Sequence, residues 1–360
     1  MNFPGLDPAW TFGHHATHTL GLTPTWSLPV ARDALARGEK VLVVATTALG
    51  DSLLTTPLIE TLSARLGRDR VSLLVKAPYV ELYRDDPRLH RVFSVRGKYR
   101  WENLRAQLRD DPHRIALLAN LTEPDLLPYL WWGGVRAFLR YRTRWSRHPA
   151  WIANSEMLRS PGSADYATGH AIENNLAMAE ALGLEPATHR LGLPQIHGER
   201  KCRRVLIHPG ASREIKRWPV ENWARLAEAL IAEFHVDVLI TGDRNERPLA
   251  EAVRSAIQSD GHVEVTAGEL SLRELAQAQG EAAVFISGDT GPYHLAVATG
   301  CPTVTLFAPT DRGSSTEACG PHQADPVFHR ALETAVGDGI ASISMERVRD
   351  EVRAVLGNGF

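Results

Sequence analysis

Four short stretches of this 360-residue chain bring small, basic or acidic residues together at spacings that suit work on a phosphate or a hydroxyl. His208-Pro209-Gly210-Ala211-Ser212 is followed by Lys216-Arg217-Trp218-Pro219. Gly210 and Ser212 can bring backbone amides and a hydroxyl close to a phosphate, Lys216 adds a mobile point charge and Arg217 a planar fork. The plain alternative is an ordinary basic loop. Pro219 suits the first position of a helix. In Ser287-Gly288-Asp289-Thr290-Gly291-Pro292-Tyr293-His294, Thr290 and Gly291 would open a helix and turn free amides toward an anion. Asp289 would cap that helix or orient its neighbours. His294 is either packed in a core or, one turn into the helix, aimed at a ligand. In Thr241-Gly242-Asp243-Arg244-Asn245-Glu246, a carboxylate is placed to accept from ribose hydroxyls or to sit as a solvated charge at a helix start. In Ala45–Ser52, Asp51 is either a simple helix cap or a carboxylate at the ligand-binding end of a strand.

These stretches need strands behind them. Lys40–Ala45 (KVLVVA) is a continuous apolar run, as a parallel strand buried on both faces should be. A helical pattern runs from the turn to about Leu66, strands are expected at Val71–Val75, Arg91–Val95 and Ile115–Ala119, and a helix at Trp101–Arg109. Residues 121–168 are irregular and rich in Trp, Pro and Arg. His170–Leu182 is an amphipathic helix closed by Gly183. After a turn-rich linker at 185–204, a second series follows. Its strands are Val205–His208, Val236–Thr241, Ala283–Ser287 and Thr303–Phe307; its helices are Val220–Glu233, Arg247–Ile257, Leu272–Gln279, Gly291–Thr299 and Met345–Leu356. Alternating strands and helices specify α/β domains with parallel sheets. We read residues 1–38 as an N-terminal extension with one short helix near Pro29–Arg37, 39–190 and 191–344 as Rossmann-like domains, and 345–360 as a C-terminal helix. The phosphate-binding features gather in the second domain and the first carries an acid. A nucleotide donor in the second and an acceptor in the first would produce that division.

Composition narrows the classes. Hydrophobic residues make up 44% and charged residues 23%, as in a soluble globular protein. With 40 Lys+Arg against 42 Asp+Glu, the chain has no global pull toward nucleic acid. No apolar run approaches the roughly 20 residues that a spanning helix needs, and the N-terminus lacks the basic start and apolar stretch of a secretory signal. Cys202, Cys301 and Cys319 are scattered, so neither a disulfide framework nor a zinc site is expected and a cytoplasmic location is. His14, His15 and His18 are read as part of a polar tail rather than as metal ligands. There is no GxGxxG and no GxxxxGK[ST], which argues against a dehydrogenase and against a P-loop enzyme.

Four blocks together resemble glycosyltransferase family 9, which includes the ADP-heptose:lipopolysaccharide heptosyltransferases. They are ALGDSLLTTPLIETL (48–62), HAIENNLAMAEALGL (170–184), HPGASREIKRWPVENWARLAEAL (208–230) and SGDTGPYHLAVATGCPTVTLFAPT (287–310). The likeness covers roughly residues 40–312, and LSLREL (270–275) also fits. The chain departs from the family in its longer N-terminal extension and in residues 311–343, which lack the cysteine-bearing ending common there.

The resemblance implies an α/β fold of GT-B type, two Rossmann-like domains facing across a cleft, and sugar transfer with inversion and without a metal or other cofactor. It implies that Asp51 is the general base, that Ser212, Lys216, Thr290 and Gly291 hold the diphosphate, that Glu246 holds the ribose, and that Asp289 binds at the donor sugar or the turn beside it. His294 joins the donor-binding set. The implied partners are a nucleotide-sugar donor, ADP-heptose first, and a glycan or glycolipid acceptor such as lipopolysaccharide core, with no nucleic acid. Residues 136–147 hold five arginines interleaved with aromatics. Arg140, Arg142 and Arg144 are either solvated surface or an acceptor-side grip on an acidic sugar or an anionic membrane face, the latter placing the protein peripherally at the inner membrane. The alternatives to this function are a non-hydrolysing nucleotide-sugar epimerase, a binding protein without catalysis, and a family 9-like transferase acting on a small acceptor.

Overall fold

The computed structural model describes residues 28–95, 102–119, 126–141, 156–158, 169–196, 201–310, 315–322 and 329–357. The chain divides into two units, Met1–Thr188 and His189–Phe360. The tail histidines His14, His15 and His18, and Arg142 and Arg144, lie outside the described residues.

In the first unit, α1 (Leu28–Ala36) precedes β1 (Val41–Ala45), followed by α2 (Leu49–Leu53), α3 (Thr56–Leu66), β2 (Val71–Lys76), α4 (Val80–Tyr83), β3 (Arg91–Val95), α5 (Glu102–Asp110), β4 (Ile115–Leu118), α6 (Leu127–Trp132), β5 (Ala137–Tyr141), β6 (Glu156–Leu158) and α7 (Ala171–Ala181). All the pairings are parallel, in the order β3-β2-β1-β4-β5-β6. This order reverses direction between β1 and β4, and in such sheets ligands bind at the carboxyl ends of the strands flanking that reversal. β1 is buried along its whole length, as its unbroken apolar run requires.

Two expectations are corrected here. The helical pattern after β1 is two helices, not one. Ser52, Thr55 and Thr56 turn their hydroxyls back onto the carbonyls of Leu49, Ser52 and Leu53. Such back-bonding bends a helix, and Pro57 in the first turn of α3 lacks the N–H that would carry the ladder across. Asn175 of α7, fully buried, donates to the Leu54 carbonyl at this break (2.9 Å). Secondly, the stretch read as irregular contains β5 and β6. In β5 the buried Ala137, Phe138 and Leu139 precede a half-buried Arg140, so the apolar run is too short to announce itself. Gly183 takes a left-handed conformation (φ 81°) just after α7 and its N–H donates to the Glu180 carbonyl, the expected helix ending.

The second unit comprises β7 (Lys201–His208), α8 (Val220–Phe234), β8 (Asp237–Ile240), α9 (Arg247–Ala256), β9 (Val263–Val265), α10 (Leu272–Glu281), β10 (Ala282–Gly288), α11 (Gly291–Ala298), β11 (Thr303–Phe307), α12 (Thr316–Cys319), β12 (His329–Glu333) and α13 (Met345–Gly357). The order β12-β11-β10-β7-β8-β9 repeats that of the first sheet, so its reversal lies between β7 and β10. Alternate residues serve the two faces. Val205, Ile207, Val238, Ile240, Val284 and Ile286 share a core with Trp223, Leu226 and Leu230 of α8 and Val348, Val352 and Val355 of α13. Leu206, Leu239 and Phe285 pack on the other side with Ala296 of α11 and Cys301. Among the described residues, no helix is long and apolar enough to cross a membrane.

One buried histidine makes the first unit acid-sensitive. His113, just before β4, is fully buried and edge-on to Phe93 (5.4 Å between ring centres). Its Nδ1–H donates to the Asp111 carbonyl (2.8 Å), and Nε2 has no partner among the described residues. Burial lowers its pKa from 6.5 to about 4, against the opposing pull of Asp111. The unfolded chain therefore takes up a proton near pH 6.5 that the folded chain refuses until about pH 4. Stability present above pH 6.5 is lost as pH falls through that window, by about 3 kcal/mol. His113→Asn, which keeps a donor for Asp111, should melt with a flatter pH dependence between pH 7 and 4.5. An unchanged slope would assign the acid sensitivity elsewhere.

Candidate active site

In the second unit, the candidate residues come from three loops at the carboxyl ends of neighbouring strands. β7 ends at His208 and leads through Gly210 and an exposed Ser212 to a 3-10 turn, Glu214–Lys216. Trp218 pins this loop. It is 2% exposed, packs edge-on to Trp223 (5.0 Å), and its Nε1–H donates to the Ile343 carbonyl (2.8 Å). Arg217 is exposed and donates from Nε to the Ala211 carbonyl, bracing the loop's own backbone. Pro219 is the N-cap rather than the first helical residue. Its ψ of 142° is extended, and its carbonyl accepts from Asn222 and Trp223, so the helix proper starts at Val220.

The pinned loop delivers Lys216 to the end of β10. Lys216 Nζ lies 2.5 Å from Asp289 Oδ2 and 3.2 Å from the Asp289 carbonyl. Both side chains are largely buried, at 14% and 7% exposure. Asp289 thus pairs with a neighbouring side chain from the β7 loop. Thr290 occupies the N-cap position, and its hydroxyl neither caps nor meets any partner among the described residues. α11 then opens with Gly291 and Pro292, so the Gly291 amide is the donor its first turn presents. An ammonium, a spare hydroxyl and a helix start are the features that bind an anion.

His294, left open between core and ligand, is buried at 6% exposure and packs against Tyr293 (4.7 Å), with Nε2 4.0 Å from Asp289 Oδ1. Cys319, which the sequence did not single out, brings Sγ to 4.0 Å from the same oxygen. The donor atoms of Asp289, His294 and Cys319 lie within 4.8 Å of one another, close enough to hold a metal ion, while Lys216 already supplies Asp289 with a cation. Burial, then the neighbouring Cys319 and Asp289, push the Tyr293 phenol well above its ordinary range, so it stays protonated.

Glu246 approaches from the third loop. It is the N-cap residue of α9, and its Oε2 accepts from the Asp243 N–H (2.8 Å). Asp243 Oδ1 accepts from the Asn245 and Glu246 amides (2.7 and 3.0 Å), tightening the turn. The Glu246 side chain is turned over the end of β7: a Cβ on Gly210 would lie 2.2 Å from its carboxylate. A side chain at position 210 would therefore displace the Glu246 carboxylate from this place, while the backbone angle there is an ordinary one.

In the first unit, Asp51 is half-buried at the carboxyl end of β1, in the first turn of α2. Its Oδ2 accepts from the Ala48 N–H (3.2 Å), a capping contact. Burial and the Asp51 charge raise the phenol of Tyr79, at the end of β2, which sequence reasoning did not flag. Thr46, directly after β1, is fully buried, with a hydroxyl that has no partner among the described residues. Arg140 lies near the carboxyl end of β5, with β4 between that strand and β1. Burial lowers its guanidinium to about 10, which still leaves it charged at neutral pH. Arg136 instead rests on the Trp131 ring (5.0 Å) and donates to the Trp131 carbonyl, a surface role.

A family model described as glycosyltransferase family 9 (heptosyltransferase) matches residues 164–326. Lipopolysaccharide heptosyltransferase 3 of Escherichia coli is 24% identical over 288 residues, covering 73% of this chain and 81% of its own length. The solved structure of E. coli ADP-heptose lps heptosyltransferase II superposes with a TM-score of 0.70 at 19% identity, covering 89% of this chain and 99% of that one. That of E. coli heptosyltransferase WaaC with ADP does so with a TM-score of 0.70 at 18% identity, covering 88% and 99%. The two parallel-sheet units with one repeated strand order, the loops at their reversal points and these likenesses agree: the chain has a fold of GT-B type and is similar to the heptosyltransferases of glycosyltransferase family 9.

Proposed function

We propose that this chain transfers a heptosyl residue from ADP-heptose to a hydroxyl of lipopolysaccharide core or a related glycan, with inversion and without a metal. The observation that carries the donor half is the meeting of Lys216, Asp289, Thr290 and Gly291 at the ends of β7 and β10. Lys216 and the start of α11 would hold the diphosphate and neutralise its growing charge as the sugar leaves. Ser212 would add a hydroxyl, Glu246 would accept from the ribose, and Asp289 and His294 would face the donor sugar side. Asp51 would take the proton from the acceptor hydroxyl as it attacks the anomeric carbon. Arg140, with Arg142 and Arg144, would grip an acidic acceptor. The adenine assignment draws on heptosyltransferases named for ADP-heptose or solved with ADP. The proposed location is the cytoplasm, with the acceptor reached at the inner membrane face.

Calorimetry with ADP, UDP and GDP tests the donor class. ADP should bind most tightly, and at 100 times its dissociation constant should stabilise the protein by about 2.7 kcal/mol. A clear preference for UDP or GDP would replace ADP-heptose with another nucleotide sugar.

A further inference from the structure

One buried titratable side chain at the donor end of the second unit has no role in the scheme above. His208 closes β7, is 4% exposed and lies against Phe285 (6.3 Å between ring centres). Its Nδ1 is 3.2 Å from Thr241 Oγ1, at the end of β8, and its Nε2 faces Glu246 Oε2 at 3.6 Å. Burial pushes the imidazole below its ordinary range, and the Glu246 and Asp243 carboxylates oppose that shift.

A neutral imidazole carries one proton on one of two nitrogens. On Nδ1, that proton would leave the Nε2 lone pair pointing at a carboxylate oxygen, a repulsive contact in a buried place. On Nε2, the proton points at Glu246, and Nδ1 can accept from the Thr241 hydroxyl, whose other acceptor, the Ile207 carbonyl (3.2 Å), already accepts from the Thr241 N–H (2.8 Å). The second arrangement wins because it turns both contacts attractive. Glu246 is then constrained from three directions. The Asp243 N–H binds Oε2, the His208 ring faces the same oxygen, and the Gly210 backbone lies against the carboxylate. A carboxylate so confined presents its remaining lone pairs in one direction, at the edge where the donor would lie.

We propose that His208 is a positioning residue: its Nε2–H, with Thr241 behind the ring, orients the Glu246 carboxylate to accept from the ribose hydroxyls of the donor nucleotide. The proposal rests on the ribose reading of Glu246 given above. It explains why a histidine, rather than an apolar residue, follows the fully buried Val205, Leu206 and Ile207 at the end of the strand.

The test compares the nucleoside diphosphate that binds most tightly among ADP, UDP and GDP with its 2′,3′-dideoxy form. The wild-type protein should prefer the ribose form roughly 10- to 100-fold, the worth of hydrogen bonds to a charged group. Glu246→Ala should abolish that preference. His208→Asn, which keeps a group near Thr241 but cannot reach Glu246, should reduce it to within a few-fold. His208→Gln, whose amide nitrogen reaches the Nε2 position, should restore most of it. A merely structural role for His208 would weaken both nucleotides alike and leave their ratio unchanged. Retention of the full preference in His208→Asn, with its loss in Glu246→Ala, overturns the proposal and leaves the Glu246 reading standing. Equal preference in wild type and Glu246→Ala overturns the Glu246 reading and the proposal with it. Nitrogen NMR of the folded wild-type protein is independent of any variant: the proposal requires the Nε2–H tautomer of His208, and an Nδ1–H tautomer contradicts it.

Discussion

Asp51→Asn should lower transfer about 100- to 10,000-fold, the usual cost of losing a general base, while nucleoside diphosphate affinity stays within about twofold, since the residues proposed to bind the donor all belong to the other unit. The substitution separates the two readings of this residue. Asp51 accepts one hydrogen bond from the Ala48 N–H, and an amide oxygen of the same shape accepts it equally well. The cap at the start of α2 therefore survives, and melting should move little. What is lost is the capacity to take a proton. Steady-state rates, nucleotide titration and a thermal melt on one preparation decide the matter. Near-normal turnover would reduce Asp51 to a capping residue and require another base at the ends of the first sheet.

Lys216→Ala should lower kcat about 100- to 1,000-fold, as removal of a donor that stabilises developing charge does elsewhere, and weaken nucleoside diphosphate binding by only about tenfold. The inequality arises because charge on the departing diphosphate is greatest in the transition state. A second effect accompanies it. Asp289, 7% exposed in its side chain, loses the ammonium 2.5 Å away that offsets its buried charge. Such a loss is destabilising, so the single variant should also melt lower. The double variant Lys216→Ala/Asp289→Asn should regain the melting temperature without regaining kcat. Recovery of both would make the pair a structural ion pair, and normal kinetics in Lys216→Ala would leave it a loop residue.

Much of this architecture could be read from the chain because apolar runs and helix-ending residues lie close together in sequence. KVLVVA becomes a fully buried β1, and Gly183 ends α7 in the left-handed region where a side chain would be strained. The misread places have physical causes. In β5, three buried residues are followed by an arginine, so a real strand carries almost no apolar signal. The break between α2 and α3 comes from hydroxyls bonding back to carbonyls, and Ser and Thr do not advertise which way they will turn. The site was legible as separate loops and not as a geometry. Lys216 and Asp289 are 73 positions apart, and they meet because β7 and β10 are neighbours at the reversal of the sheet. Glu246 was assigned to ribose or to a helix start. It serves the helix start through its position, yet turns its carboxylate over Gly210 and toward His208. Cys319 had no signal at all, since nothing local marks a thiol that a later helix brings to a carboxylate.

The central claim is that this protein moves a heptosyl residue from a nucleotide to a glycan. Incubation with ADP-heptose and a heptose-free lipopolysaccharide core fragment, in the presence of EDTA, tests it most directly when mass spectrometry and anomeric NMR follow the products. The account predicts one heptosyl residue added per acceptor, ADP released in equal amount, and an anomeric configuration opposite to that of the donor. Donor left intact, or donor altered at the same rate with and without acceptor, would contradict it.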